Sequence, residues 1–194
     1  MIGNIRPADT VLMPMHGRLL IILLITVTGC VHRIQVNPLP SSPTSTTIPR
    51  SLQITVGPLS MEGADHRPGI TLLEWPHSDL SQALVRYVQQ RNTFSSVSTN
   101  SADLTLRITT KLALTHRQGR YHYRVRLQAE MSEKAQLVKA YLVEQVAAGL
   151  SVRWVTASDR DPTEAALQLA LDDLLSQIEA DQSLYVSGMG RPAQ

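Results

Sequence analysis

The chain has 194 residues, 43% hydrophobic and 4% aromatic, with a formal net charge of +2. That near-neutral balance gives a nucleic-acid partner no electrostatic support. A single cysteine, Cys30, rules out an internal disulfide framework and a cysteine-built metal cluster.

The N-terminus is the most informative segment. Arg18 precedes an apolar run from Leu19 to Thr28, and the run closes on Val27-Thr28-Gly29-Cys30. A basic start, a short hydrophobic core and small residues ahead of a cysteine form the layout of a bacterial lipoprotein signal. The run is about half of the ~20 apolar residues that a membrane-spanning helix needs, so it reads as a signal and not as a span. In that layout the Cys30 thiol accepts a diacylglycerol thioether, and cleavage between Gly29 and Cys30 leaves a fatty-acylated N-terminus. The alternative is a secretory signal without lipid, in which Cys30 is incidental. Residues 1–18 carry Asp9 and Pro14, and a start at Met13 or Met15 would leave a compact n-region of His16 and Arg18.

Removing residues 1–29 takes away Arg6, Arg18 and Asp9, leaving 16 of the 18 basic and 15 of the 16 acidic residues. After Val31 comes Asn37–Pro49, with four prolines among serines and threonines. Such a stretch lacks backbone donors and an apolar face, and reads as a flexible tether. Val31, in the place where an aspartate would favour inner-membrane retention, points to the outer membrane, facing the periplasm. The expected organisation is a signal peptide over 1–29 and an acylated cysteine with its tether over 30–50. A single α+β periplasmic domain over 51–187 and a tail over 188–194 complete it.

Periodicity gives the elements of that domain. Leu52, Ile54 and Val56 alternate with polar residues up to Gly57-Pro58, which predicts a first strand ending there. After a loop containing Gly63, Pro68, Gly69 and Pro76, Ser78 or Asp79 is expected to cap a helix. Leu80, Ala83, Leu84, Tyr87 and Val88 form its buried stripe. Phe94 and Val97 are expected to fold back onto it. A three-stranded meander follows: Ala102–Leu114, then Tyr121–Met131 with apolar residues at every odd position, then Leu137–Val155 with a bulge or bend at Gly149. Asp161, Pro162 and Glu164 have the spacing of a capping box. The helix they open buries Leu167, Leu171, Leu174, Leu175 and Ile178 and turns Asp172, Asp173, Glu179 and Asp181 to water. The order β-α-β-β-β-α predicts an antiparallel three- to four-stranded sheet with two helices packed on one face.

Chemistry is scarce. No glycine-rich phosphate loop, Gly-x-Ser-x-Gly elbow or metal-ligand spacing occurs, so no cofactor and no metal is expected and the chain does not read as an enzyme. His116 and His122 flank a hairpin among arginines, which disfavours a bound cation. Asp159 and Asp161 lie where acids serve as helix caps. One asymmetry stands out: residues 107–126 hold Arg107, Lys111, Arg117, Arg120, Arg124 and Arg126 with no acid among them. By alternation Arg107, Lys111, Arg124 and Arg126 share the polar side of their strands. They form either a face for an anionic lipid, an acidic glycan or an acidic partner, or a solvated sheet face kept soluble by charge. Trp75 and Trp154 read as core or staple residues.

Several short motifs carry a family resemblance. They are the cysteine and tether, Val56-Gly57-Pro58, the Trp75-Pro76 helix entrance, Leu80–Leu84, Phe94–Val97, Ala102–Leu104 and the closing helix Ala165–Ile178. Together they resemble the auxiliary lipoproteins of ABC-type transport systems (PqiC type). That group is similar in plan to CsgG, PelC and the N-terminal domain of TolB. The resemblance implies a non-catalytic accessory of an envelope lipid transport system, working through a membrane anchor and an envelope protein partner. Its alternative is a structural subunit of an oligomeric polysaccharide or protein export assembly, a homo-oligomer. Cys30 is the one site residue that the resemblance transfers.

Overall fold

The computed structural model describes residues 30–44, 46–63, 71–98, 100–150 and 159–186. These form β1 Cys30–Arg33, β2 Ile48–Glu62, β3 Thr71–Glu74, α1 His77–Arg91, β4 Phe94–Ser98 and β5 Leu104–Arg117. They continue with β6 Arg120–Glu133, β7 Gln136–Leu150, α2 Arg160–Ala180 and α3 Gln182–Val186. β1 pairs with β3, and the other five strands form one sheet in the order β4-β2-β5-β6-β7.

The sheet is mixed, which corrects the expectation of an antiparallel sheet of three or four strands. β2 runs parallel to β4 and to β5, while β5, β6 and β7 form the antiparallel meander. The cause is a crossover: α1 carries the chain back to the start of β2, where Ile48 N donates to Thr93 O, and β4 then rises beside β2 in the same direction. Phe94–Ser98 is therefore a strand of this sheet, with Phe94 in one core with α1 and Val97 packed against that core. β2 also continues past Gly57-Pro58. Its register to β5 shifts between Val56 and Leu59, and at such an irregularity proline's missing N–H costs no regular ladder bond.

The β5–β6–β7 meander follows the sequence alternation. Leu104, Leu106, Ile108, Leu112, Tyr123, Val125, Leu127 and Met131 are buried on one face. Both hairpins turn on two residues with positive φ, Gln118-Gly119 (50° and 74°) and Lys134-Ala135 (47° and 66°). That is the backbone twist that matches right-handed strands. Gly149 makes no bulge: it pairs in register with Tyr121, and the irregularity lies between Met131 and Ser132. Gly149 is required for space, since a Cβ there would stand 2.8 Å from the Tyr123 ring and 2.9 Å from Pro162. Residues 151–155 and Trp154 lie outside the described residues, as do 1–29 and 187–194.

Leu80, Leu84, Tyr87 and Val88 of α1 and Leu167, Leu171, Leu174, Leu175 and Ile178 of α2 join the sheet's buried face in one core. Each such side chain contributes roughly 1.5–3 kcal/mol on burial. The helix starts differ from expectation. The N-cap of α1 is Pro76, with Ser78 and Asp79 inside the first turn. α2 begins at Arg160 behind Asp159, so Asp161 and Pro162 are its second and third residues. Pro162 loses nothing there, because first-turn N–H groups have no helical acceptor.

Polar residues tie the layers together. Arg91, at the end of α1, donates to Asp172 (2.6 Å), Glu179 (3.0 Å) and Ser176 (3.1 Å) of α2. Tyr87 donates to Asp172 at 2.6 Å and Thr93 to Glu179 at 2.8 Å. Asp181 accepts from Lys139 (2.5 Å) and Tyr141 (3.0 Å). Asp172, Glu179 and Asp181 thus serve as inter-element ties, where the sequence had turned them to water.

The stretch read as a tether is also packed in part. Ile34 and Val36 are buried in the core, Asn37 N donates to Glu164, and Ser41 to Asp172. An apolar pair at i, i+2 ahead of the prolines is enough to lay this segment along the helices, and the compact body of the chain begins at Val31.

Candidate functional site

The sheet face opposite the helices carries all four predicted cations. On β5 the buried neighbours Leu106, Ile108 and Leu112 turn Arg107 and Lys111 outward. On β6 Val125 and Leu127 do the same for Arg124 and Arg126. Lys111 and Arg126 are directly opposed, as are Ala113 and Arg124.

Flanking strands supply acids that residues 107–126 lack. Glu62 of β2 pairs with Lys111 at 2.6 Å, and Glu144 of β7 takes Arg126 at 2.6 Å and Arg124 at 3.3 Å. The Lys111 ammonium, by hydrogen bond and charge, holds the Glu62 carboxyl below the usual carboxylate range. The result is an ion ladder across four strands, Glu62–Lys111–Arg126–Glu144, with Arg124 alongside. These side chains are solvated, so water and salt screen the pairs and they add little to stability. The ladder surrounds a small recess of about 210 Å³.

Arg107 stands apart from this ladder, in a groove of about 710 Å³. Thr55, Thr105 and Ser132 supply hydroxyls, Glu130 faces Arg107 across the β5–β6 pair, and Val56, Pro58 and Leu137 form an apolar rim. Two irregularities shape it, the β2 register shift after Val56 and the β6–β7 shift at Met131/Ser132. Gly57 lets β2 approach β5 closely, since a Cβ there would meet Thr109 Oγ1 at 2.7 Å. His77, at the start of α1, places Nε2 3.0 Å from Gly57 O.

The groove offers one cation, one acid and several hydroxyls in a shallow trough, an arrangement suited to holding a polar or amphipathic molecule. The Ser132 hydroxyl there donates to the Thr105 carbonyl (3.4 Å). Of the groove residues, sequence reasoning found only Arg107. Thr55, His77, Glu130 and Leu137 carry no motif, and the one local signal was Gly57-Pro58.

Two tyrosines with raised pKa lie away from the groove. Burial and the Asp172 carboxylate push the Tyr87 hydroxyl up, and burial together with Tyr185 and Asp181 does the same to Tyr141. These are core ties between elements. Among the described residues, no group of three or more His, Cys, Asp or Glu side chains could hold a metal ion. Among the same residues no helix is long and apolar enough to cross a membrane. Trp75 is buried in the core at the entrance to α1. The backbone of Cys30 opens β1, and Gly29 lies outside the described residues.

No family model and no curated protein matches this sequence. Among solved structures, protein XCC0632 from Xanthomonas campestris, of the DUF330 family, superposes with a TM-score of 0.55 at 17% identity, covering 79% of this chain and 97% of that one. At that identity the likeness shows a shared fold. A putative lipoprotein from Caulobacter crescentus matches more loosely (TM-score 0.41, 11% identity, 73% of this chain and 93% of that one). So does a minor lipoprotein from Acinetobacter baumannii (TM-score 0.40, 14% identity, 69% and 91%). These two likenesses are too distant to fix anything about this chain.

Proposed function

We propose that this chain is an outer-membrane lipoprotein, held at the periplasmic face by an acylated Cys30, that serves as a non-catalytic accessory of an envelope lipid transport system. The observation that carries the reading is Val27-Thr28-Gly29-Cys30 at the end of a short apolar run, followed at Val31 by a folded body. Val31 supports delivery to the outer membrane. The Arg107 groove supports a binding role, since it combines polar groups with an apolar rim.

The test is deletion and complementation. Cells lacking the chain should show altered distribution of phospholipid between the two membranes, restored by the wild-type gene and not by Cys30→Ser. Normal lipid distribution in the deletion strain would refute the transport role.

A second reading, a subunit of an oligomeric export assembly, draws support from β7. This edge strand leaves Leu137, Leu142 and Val146 exposed on its outer face. Light scattering on the detergent-extracted protein separates the two, since an export ring would run as a large, fixed oligomer.

A further inference from the structure

We infer that the tip of the β5–β6 hairpin, His116–His122, is a second contact between this domain and the anionic lipid surface that carries it. The inference rests on the reading of Cys30 as an acylated anchor. Charge is the first observation. Thr115–Arg120 are all exposed, and residues 115–122 hold Arg117, Arg120, His116 and His122 with no acid. Lower on the same hairpin, Lys111, Arg124 and Arg126 are each matched by Glu62 or Glu144. Among the described residues that matching stops short of the tip. β2 ends with Glu62 beside Ala113, and β7 sets only Leu150, Gly149 and Ala148 against Arg120, Tyr121 and His122. Arg117 and Arg120 also face each other directly across the turn, a like-charge pairing that opposes folding and that a bound anion relieves. The Tyr121 ring, 4.8 Å from that of His116, adds an apolar body with a polar end, the kind of side chain that suits the headgroup level.

Direction is the second observation. The chain after β1 runs along α2 in the same sense: Asn37 meets Glu164, and Ser41 meets Asp172. Traced backward, it heads for the N-terminal end of α2. That end abuts the hairpin, since Tyr123 donates to Asp159 and Pro162 lies against Gly149. Burial alternates residue by residue from Arg33 to Pro38, the mark of an extended backbone. Six extended residues from Asn37 to Val31 cover about 20 Å, against about 6 Å of helix from Glu164 back to Arg160. Val31 therefore reaches past the start of α2 on the side where the hairpin projects beyond Tyr123, and Cys30 directly precedes it. An acyl chain on Cys30 brings this end of the domain, and with it the exposed arginines of the hairpin tip, to the lipid surface.

The test uses the acylated protein carrying a nitroxide at Gln118→Cys, reconstituted on vesicles of phosphatidylcholine with or without phosphatidylglycerol. The readout is collision of the label with a water-soluble relaxation agent. With phosphatidylglycerol present, accessibility should fall. Each arginine near an anionic surface shifts the docked population by roughly fivefold, so Arg117→Gln with Arg120→Gln should lower it by about thirtyfold and restore accessibility. High salt should do the same. A label equally accessible on both vesicle types, on protein that floats with them, would overturn the tip contact and leave the anchor intact. Protein that does not float at all would instead overturn the acylated anchor, and the tip contact with it.

Discussion

Arg91 ties the end of α1 to α2, and its loss should destabilise the fold measurably. Its side chain is 9% exposed and its guanidinium meets Asp172 and Glu179, whose side chains are 20% and 18% exposed. Arg91→Met keeps much of the apolar stem and removes the charge. It leaves two carboxylates in a poorly solvated seam, held only by Tyr87, Thr93 and Ser41. Removing one partner of a buried pair costs about 3–5 kcal/mol, and the residual exposure of the acids argues for the lower end, about 3 kcal/mol. With a urea slope of about 2 kcal/mol/M, the midpoint should fall by about 1.5 M. Urea unfolding followed by far-UV circular dichroism measures it. Adding Asp172→Asn and Glu179→Gln to Arg91→Met should recover most of the loss, because the penalty is the stranded charge. A loss under about 1 kcal/mol for the single variant would refute the reasoning, as would a triple variant weaker than the single.

Two further outcomes follow from local geometry. Gly149→Ala drives a Cβ against the buried Tyr123 ring and against Pro162, and should cost about 1–3 kcal/mol. Gly119→Ala, whose Cβ would meet nothing within 4 Å, should cost only the roughly 1 kcal/mol of its positive φ; equal losses in the two variants would contradict the packing account. Asp181 is held below its ordinary carboxyl range, chiefly by its hydrogen bond from Lys139. Its contribution is present above the ordinary value of 3.8 and is lost as pH falls through the lowered one. Asp181→Asn should therefore lower the urea midpoint near neutrality and flatten its decline in acid; parallel wild-type and variant curves down to strong acid would count against it.

The meander was legible because strict alternation fixes which face each residue takes, and the buried stripes of α1 and α2 were legible for the equivalent helical reason. Strand direction was not. Nothing in Phe94–Ser98 says that it pairs with Ile48–Gln53, because parallel neighbours are set by the path of α1 between them. The same holds for charge. Residues 107–126 are basic when read along the chain, yet Glu62 of the parallel strand β2 and Glu144 of the next strand, β7, balance Lys111, Arg124 and Arg126. Asp172 and Glu179 looked solvated because their partner Arg91 lies some 80 residues away. The groove around Arg107 depends on two register shifts that leave no pattern beyond Gly57-Pro58. The tip, by contrast, is local, and its acid-free run was readable from the start.

The central claim is the acylated Cys30, and intact-mass spectrometry of the protein extracted from membranes tests it most directly. The account predicts a chain beginning at Cys30 and heavier than its residues by a diacylglyceryl group. A chain beginning elsewhere, or an unmodified Cys30 at the mature N-terminus, would contradict it.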